Sequence, residues 1–180
     1  MEYALYLLAC WPLAAFAWFD WTPFAVDQRV HMQLPAAPAE VDLATVPGAS
    51  AAERHNTRLW TARDAEGVYQ VARFAHMAVR PDTAGRRAYY RDVVDGALQR
   101  EHGELLARGS FPTAAGDGLE FKYRARRRGT GTRVVKYSRS LVIGTTGYAF
   151  TFLPFDTQDS LGLAGNAARR RFFESITAQP

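Results

Sequence analysis

At 180 residues, with 48% hydrophobic and 22% charged side chains, the chain has ordinary globular usage and length for one domain with a substantial core, not for a second domain of normal size. Its single cysteine, Cys10, excludes an intrachain disulfide framework and a cysteine-based zinc site. The formal net charge of +4 is uneven, with eight Lys or Arg against one Glu between Glu120 and Arg139. Such a basic strip either meets an anionic partner or keeps an exposed strand from pairing with another chain.

Residues Met1–Ala17 are apolar apart from Glu2 and end in the small-x-small triplet Ala15-Phe16-Ala17. The apolar run Ala4–Leu13 is too short for a bilayer span of about 20 residues and fits the core of a signal peptide. A cleaved signal over 1–17 and a single domain over 18–180 are therefore expected, making the protein periplasmic or secreted. Leu7-Leu8-Ala9-Cys10 resembles a lipobox, so a lipoprotein acylated at Cys10 is the alternative. The aromatic residues Trp18–Phe24 should pack on the domain. Val26–Leu34 reads as a strand halted by Pro35, and the Ala- and Pro-rich stretch 36–50 as a connection or irregular strand. Thr57–Ala62 and Val68–Phe74 flank a loop of hairpin composition. A helix is predicted to start at an N-cap, Asp82 or Thr83, to carry Tyr90, Val94, Ala97 and Leu98 on one side, and to end near His102-Gly103. Leu105–Ala107 reads as a short strand and Phe111–Gly118 as a loop.

The stretch from Leu119 to Leu153 is the most regular. Phe121, Tyr123 and Ala125 alternate with Lys122, Arg124 and Arg126, the period-two pattern of a half-buried strand. A turn at Gly129–Thr132, a second strand Arg133–Ile143, a turn at Gly144–Gly147 and a third strand Tyr148–Leu153 complete a meander. A last helix is predicted over Ala164–Ile176, with Phe172, Phe173 and Ile176 toward the core and Arg169–Arg171 toward solvent. Helices segregated around an antiparallel sheet of about six strands mean the α+β class.

Several pieces, taken in order, resemble the PsbP-like fold of small exported bacterial proteins. They are the opening strand running into Leu34-Pro35-Ala36-Ala37-Pro38, the hairpin element Gly67-Val68-Tyr69-Gln70-Val71 and Gly116-Asp117-Gly118-Leu119-Glu120-Phe121 entering a strand. Gly144–Phe150 and the closing Phe172-Phe173-Glu174-Ser175-Ile176 follow. The resemblance implies an antiparallel sheet flanked by helices and a role in binding or assembly rather than catalysis. It carries over no site, because the metal- and partner-binding residues of the photosystem members match no positions here.

No stretch carries a catalytic signature. The nucleophile-elbow pattern is absent, and Ser138, Ser140 and Ser160 have no histidine nearby in sequence. His31, His55, His76 and His102 never form the i, i+4 pair of a helical metal site. Gly129–Thr132 lacks the Lys-Ser/Thr ending of a phosphate loop, and Gly144–Gly147 lacks the dinucleotide fingerprint; both read as β-turns, and no cofactor is expected. The candidate anion site is basic: Lys122, Arg124, Arg126, Arg127, Arg128 and Arg133, with Tyr123 and Tyr137 beside them, since guanidinium forks grip phosphate or carboxylate and aromatic faces add stacking. The sequence thus points to a non-catalytic binding or assembly domain. Its expected partner is an envelope protein or polyanion rather than nucleic acid, with peripheral membrane contact left open. One alternative is a small envelope hydrolase whose carboxylates, Glu101, Glu104, Asp117 and Glu120, gather on folding to the ~5–10 Å spacing of a glycosidase pair. Another is a structural envelope protein that oligomerises through an aromatic patch.

Overall fold

The computed structural model describes residues 21–45, 50–79, 82–126, 131–155 and 166–180; the proposed signal segment 1–17 lies outside them. The class is α+β with antiparallel sheets, as the sequence predicts, in a three-stranded and a seven-stranded sheet. The small sheet holds β1 (Thr22–Ala25), β2 (Val30–Leu34) and β10 (Thr177–Ala178). The large one is built from β3 (Ala39–Glu40), β4 (Thr57–Arg63), β5 (Gly67–Phe74), β6 (Glu104–Phe111), β7 (Gly118–Arg126), β8 (Arg133–Ile143) and β9 (Thr146–Pro154), in the order β3-β4-β5-β9-β8-β7-β6. The sheet therefore has one strand more than the six expected. The hairpin β4-β5 and the meander β6 to β9 are each sequential, and the β5-β9 pairing joins them.

Each face of the large sheet is covered by something different. On one side α2 (Thr83–Glu101) buries Val94 and Ala97, with Tyr90, Val93 and Leu98 beside them, against Leu119, Phe121, Tyr123 and Ala125 of β7. The predicted alternation of β7 is what presents these four together. Asp82 is the N-cap, accepting from Gly85 N at 2.6 Å, and His102 takes the left-handed conformation (φ 47°, ψ 46°) that ends the helix. On the other side, Tyr69, Val71, Phe150 and Phe152 meet Val30, Met32 and Leu34 of the small sheet and Phe172 of α3 (Asn166–Glu174). The face under α3 and the small sheet is the more apolar; on the α2 side the central strands carry Gln70, Thr151 and Ser138 in one cross-strand row.

Several local readings are corrected. The strand predicted from Val26 begins only at Val30, because Asp27 folds the chain back: its Oδ1 accepts from Arg29 N at 2.9 Å and Val30 N at 3.1 Å. Its Oδ2 accepts from Tyr148 Oη at 2.7 Å and Arg73 Nε at 2.8 Å, which clamps the β1-β2 turn to the large sheet. Of the aromatic segment before this turn, Trp21 is buried and Thr22–Ala25 form β1, while Trp18 and Phe19 lie outside the described residues; α1 (Ala51–Asn56) precedes β4. The strand read as Leu105–Ala107 is the eight-residue edge strand β6, with a bulge between Leu105 and Ala107. Ile176 is not a helical contact of α3, which stops at Glu174; it packs half-buried on the core beyond the helix end.

Candidate functional site

Three of the six predicted anion-site residues stand on one strand face. Lys122, Arg124 and Arg126 point away from α2, and the register sets them opposite Tyr137, Val135 and Arg133 respectively. Arg126 and Arg133 are exposed and directly paired across β7-β8. Two like charges in that position weaken strand pairing by a few tenths of a kcal/mol, roughly 0.2–1. Arg127 and Arg128 lie outside the described residues. Arg124 is half-buried and donates from Nη1 to Glu104 Oε2 at 3.0 Å. The Lys122 ammonium lies 5.4 Å from the centre of the Tyr137 ring. Tyr123, expected beside this patch, faces the opposite way: it is buried under α2 and stacked on Phe121 at 5.5 Å. Burial, with the neighbouring Glu101 carboxylate, pushes its phenol far above the ordinary tyrosine range.

Residues that the sequence did not single out complete a concave site next to the patch. Between α3 and the interior of β6, β7 and β8, a groove of about 400 Å³ is lined, among the described residues, by five cations, Arg108, Lys122, Arg139, Arg169 and Arg170. Arg169, predicted to face solvent, instead lays its guanidinium over the Tyr137 ring at 3.9 Å. Arg139 is half-buried, with its side chain 19% exposed. It donates from Nε to Glu120 Oε2 at 2.6 Å and from Nη1 to Phe173 O at 2.8 Å, between the rings of Phe111 at 4.6 Å and Phe173 at 5.1 Å. Among the described residues the groove has two carboxylates, Glu120 and Glu174, and each is already bonded to an arginine, the second to Arg170 Nε at 3.3 Å.

The carboxylates weighed for hydrolysis do not share a cleft. Glu120 serves Arg139 and Glu104 serves Arg124, four residues along β7 from Glu120, a separation of about 14 Å at strand rise. Glu101 lies on the α2 side, bridged to Lys136 at 2.5 Å. That contact engages the buried Oε2 by charge. Asp117 sits in the loop before β7, where its carbonyl accepts from Tyr90 Oη at 3.1 Å. Ser138 bonds to Thr151, and Ser140 donates to Tyr148 O at 3.2 Å, so both act as core polar pairs; Ser160 lies outside the described residues. Among the described residues no three His, Cys, Asp or Glu side chains gather to hold a metal, and no helix is long and apolar enough to cross a membrane.

No family model matches this chain, and no curated protein matches it. Solved structures do. The cyanobacterial PsbP protein CyanoP from Synechocystis sp. PCC 6803 superposes over 91% of this chain and 95% of its own, with a TM-score of 0.56 at 12% identity. A Pseudomonas aeruginosa protein of unknown function, PA94, described as a putative regulator, covers 89% of this chain and 98% of its own, with a TM-score of 0.51 at 9% identity. The fold is PsbP-like.

Proposed function

We propose that this PsbP-like domain is an exported, non-catalytic binding module that docks an anionic partner on the basic face of β7 and β8. The observation that carries the reading is the placement of Arg126 opposite Arg133 on an exposed surface continuous with Lys122 and Arg124. Two cations set face to face cost the strand pair stability, and a partner that neutralises both removes that cost. The signal-like segment Met1–Ala17 supports export, and outside the cytoplasm the relevant anions are polysaccharides, lipid headgroups and acidic proteins. A fold shared at such low identity carries no activity with it.

The test is binding of the mature domain to a heparin column and to anionic vesicles at low and high salt, with Arg126→Glu/Arg133→Glu alongside. Association should weaken steeply as salt shortens the Debye length from ~8 Å at physiological ionic strength. The charge-reversed protein should lose binding while keeping its melting temperature, because both residues are exposed. Salt-insensitive binding, or equal binding by the reversed protein, would leave the basic face as protection against strand pairing alone.

A further inference from the structure

We infer that the cavity between the β8-β9 turn and the first turn of α2 is a second binding site, one for a carboxylate carried on a short aliphatic body. It goes beyond the docking reading above and lies elsewhere: Arg133 and Ile143 stand at opposite ends of the eleven-residue β8, about 33 Å apart at strand rise, and Ile143 lines the cavity. Its volume, about 360 Å³, falls within the ~300–1,000 Å³ of small-molecule sites. The lining is of two kinds. Val142 and Ile143, both buried at the end of β8, form an apolar surface with the half-buried Val79 and Ala115 and with Pro180. The charged part is Arg29, from the β1-β2 turn, and Arg86, from the start of α2. Among the described residues neither guanidinium takes part in an ion pair or a hydrogen bond, and no Asp or Glu lines the cavity.

This lining selects the ligand. Apart from the two arginines it holds no side chain that can donate a hydrogen bond. One guanidinium edge satisfies both oxygens of a carboxylate in bidentate fashion, whereas the further oxygens of a phosphate would face hydrocarbon and lose their water there. A small inorganic anion would leave the apolar surface uncovered, so the body attached to the head is aliphatic. Both arginines are also placed by their surroundings. Asp27 Oδ1 accepts from Arg29 N at 2.9 Å, and Arg29 O accepts from Gln179 N at 3.0 Å, which fixes that backbone between the β1-β2 turn and the chain after β10. Arg29 Nη1 lies 3.7 Å from the point where a Cβ on Gly144 would stand, and Arg86 Nη1 lies 3.7 Å from the same point on Gly116. Gly144 (φ 59°) and Gly116 (φ 115°) take left-handed conformations that glycine adopts freely, and each leaves bare backbone beside its cation.

The experiment is calorimetric titration of the purified protein with sodium octanoate, with acetate, 1-octanol and octyl phosphate as comparisons. Arg29→Gln and Arg86→Gln are the site variants, and Arg133→Gln is the control. Saturable octanoate binding that each site variant weakens roughly ten- to hundredfold, and the control leaves within about twofold, supports the site. Acetate and octanol, which supply the head or the body alone, should each bind at least about tenfold more weakly. Either of them binding as tightly as octanoate would overturn the inference, and octyl phosphate binding as tightly or more tightly would overturn the choice of a carboxylate. Absence of octanoate binding, octanoate binding that either site variant leaves unchanged, or an equal loss in the control would overturn the site. Arg29 is exposed, so Arg29→Gln keeps the inference testable if Arg86→Gln, half-buried on α2, disturbs the helix. Octanoate failure with heparin binding retained sinks this inference alone and leaves the docking reading standing.

Discussion

Removing the Phe172 side chain tests how α3 is held. Phe172 is fully buried, its ring 5.2 Å from that of Tyr69 on β5 and 4.9 Å from that of Phe173, and it is the centre of the contact between the helix and both sheets. An aromatic side chain of this kind buries on the order of 150 Å² or more, and Phe→Ala in a core costs about 3–5 kcal/mol once the cavity is included. The rest of α3 cannot compensate, because only Phe172 and Phe173 are buried along it. Against a domain stability of roughly 5–15 kcal/mol this is a large fraction. At ~2–4 °C per kcal/mol for a chain of this size, Phe172→Ala should lower the melting temperature by roughly 6–20 °C. Phe155→Ala, at a residue 40% exposed, should change it by about 2 °C at most. Thermal unfolding followed by circular dichroism reads both. A Phe172→Ala protein that melts within about 2 °C of the parent would show that α3 is peripheral, and the groove it walls would then lack a fixed side.

Acid stability should depend on Asp27. Burial raises its carboxyl, but the hydrogen bonds from Tyr148, Arg29 N, Arg73 and Val30 N outweigh this and hold the folded value below the usual 3.8. A lowered folded value contributes stability above the unfolded pKa that is lost as pH falls through the folded one. Asp27→Asn should therefore be less stable by roughly 1–3 kcal/mol near neutrality, with the gap narrowing below pH 3.8, as urea titrations at several pH values would read. At the alkaline end, burial and the Asp27 carboxylate push Tyr148 up to about 12, and burial drives Tyr69 and Tyr123 higher still. Raised values mean stability present below pH 10 and lost above it, so these phenolates should form only together with unfolding; smooth, independent titration of all tyrosines by absorbance would refute this. Gly96→Ala, mid-helix with nothing within 4 Å of the new methyl, should stabilise by about 0.5–1 kcal/mol in thermal melts. Gly118→Ala should destabilise, since its methyl would meet the Phe111 ring and the Ser140 carbonyl at 2.9 Å.

Elements that bury one face periodically were legible in the sequence. The alternation of β7, the hairpin β4-β5 and the buried stripe and caps of α2 follow from side-chain period and terminal residues, which local sequence encodes. Strand β6 was underestimated because an edge strand with almost no buried position has no alternation to show: only its last residue, Phe111, is buried. Strands β1 and β10 depend on pairing with β2, and β10 does so across more than 140 residues, which no local window contains. The basic strand face was visible, whereas the groove was not. In the triplet Arg169-Arg170-Arg171 the residues point about 100° apart, so one must turn toward the sheet, and composition alone does not say which. Arg139 was hidden for a related reason, since its partners Glu120, Phe111 and Phe173 are distant in sequence.

The pairing of β10 with β2, Thr177 opposite His31 and Ala178 opposite Val30, also constrains when folding can finish. During synthesis the large sheet acquires all its strands by Pro154, but β2 stays without this neighbour until residue 178 has been made. Closing so long a loop is slow and comes late, because its entropy must be lost before the contact forms. A nascent chain therefore keeps the β2 side of its core unsealed until residue 178 has been made and released from the ribosome.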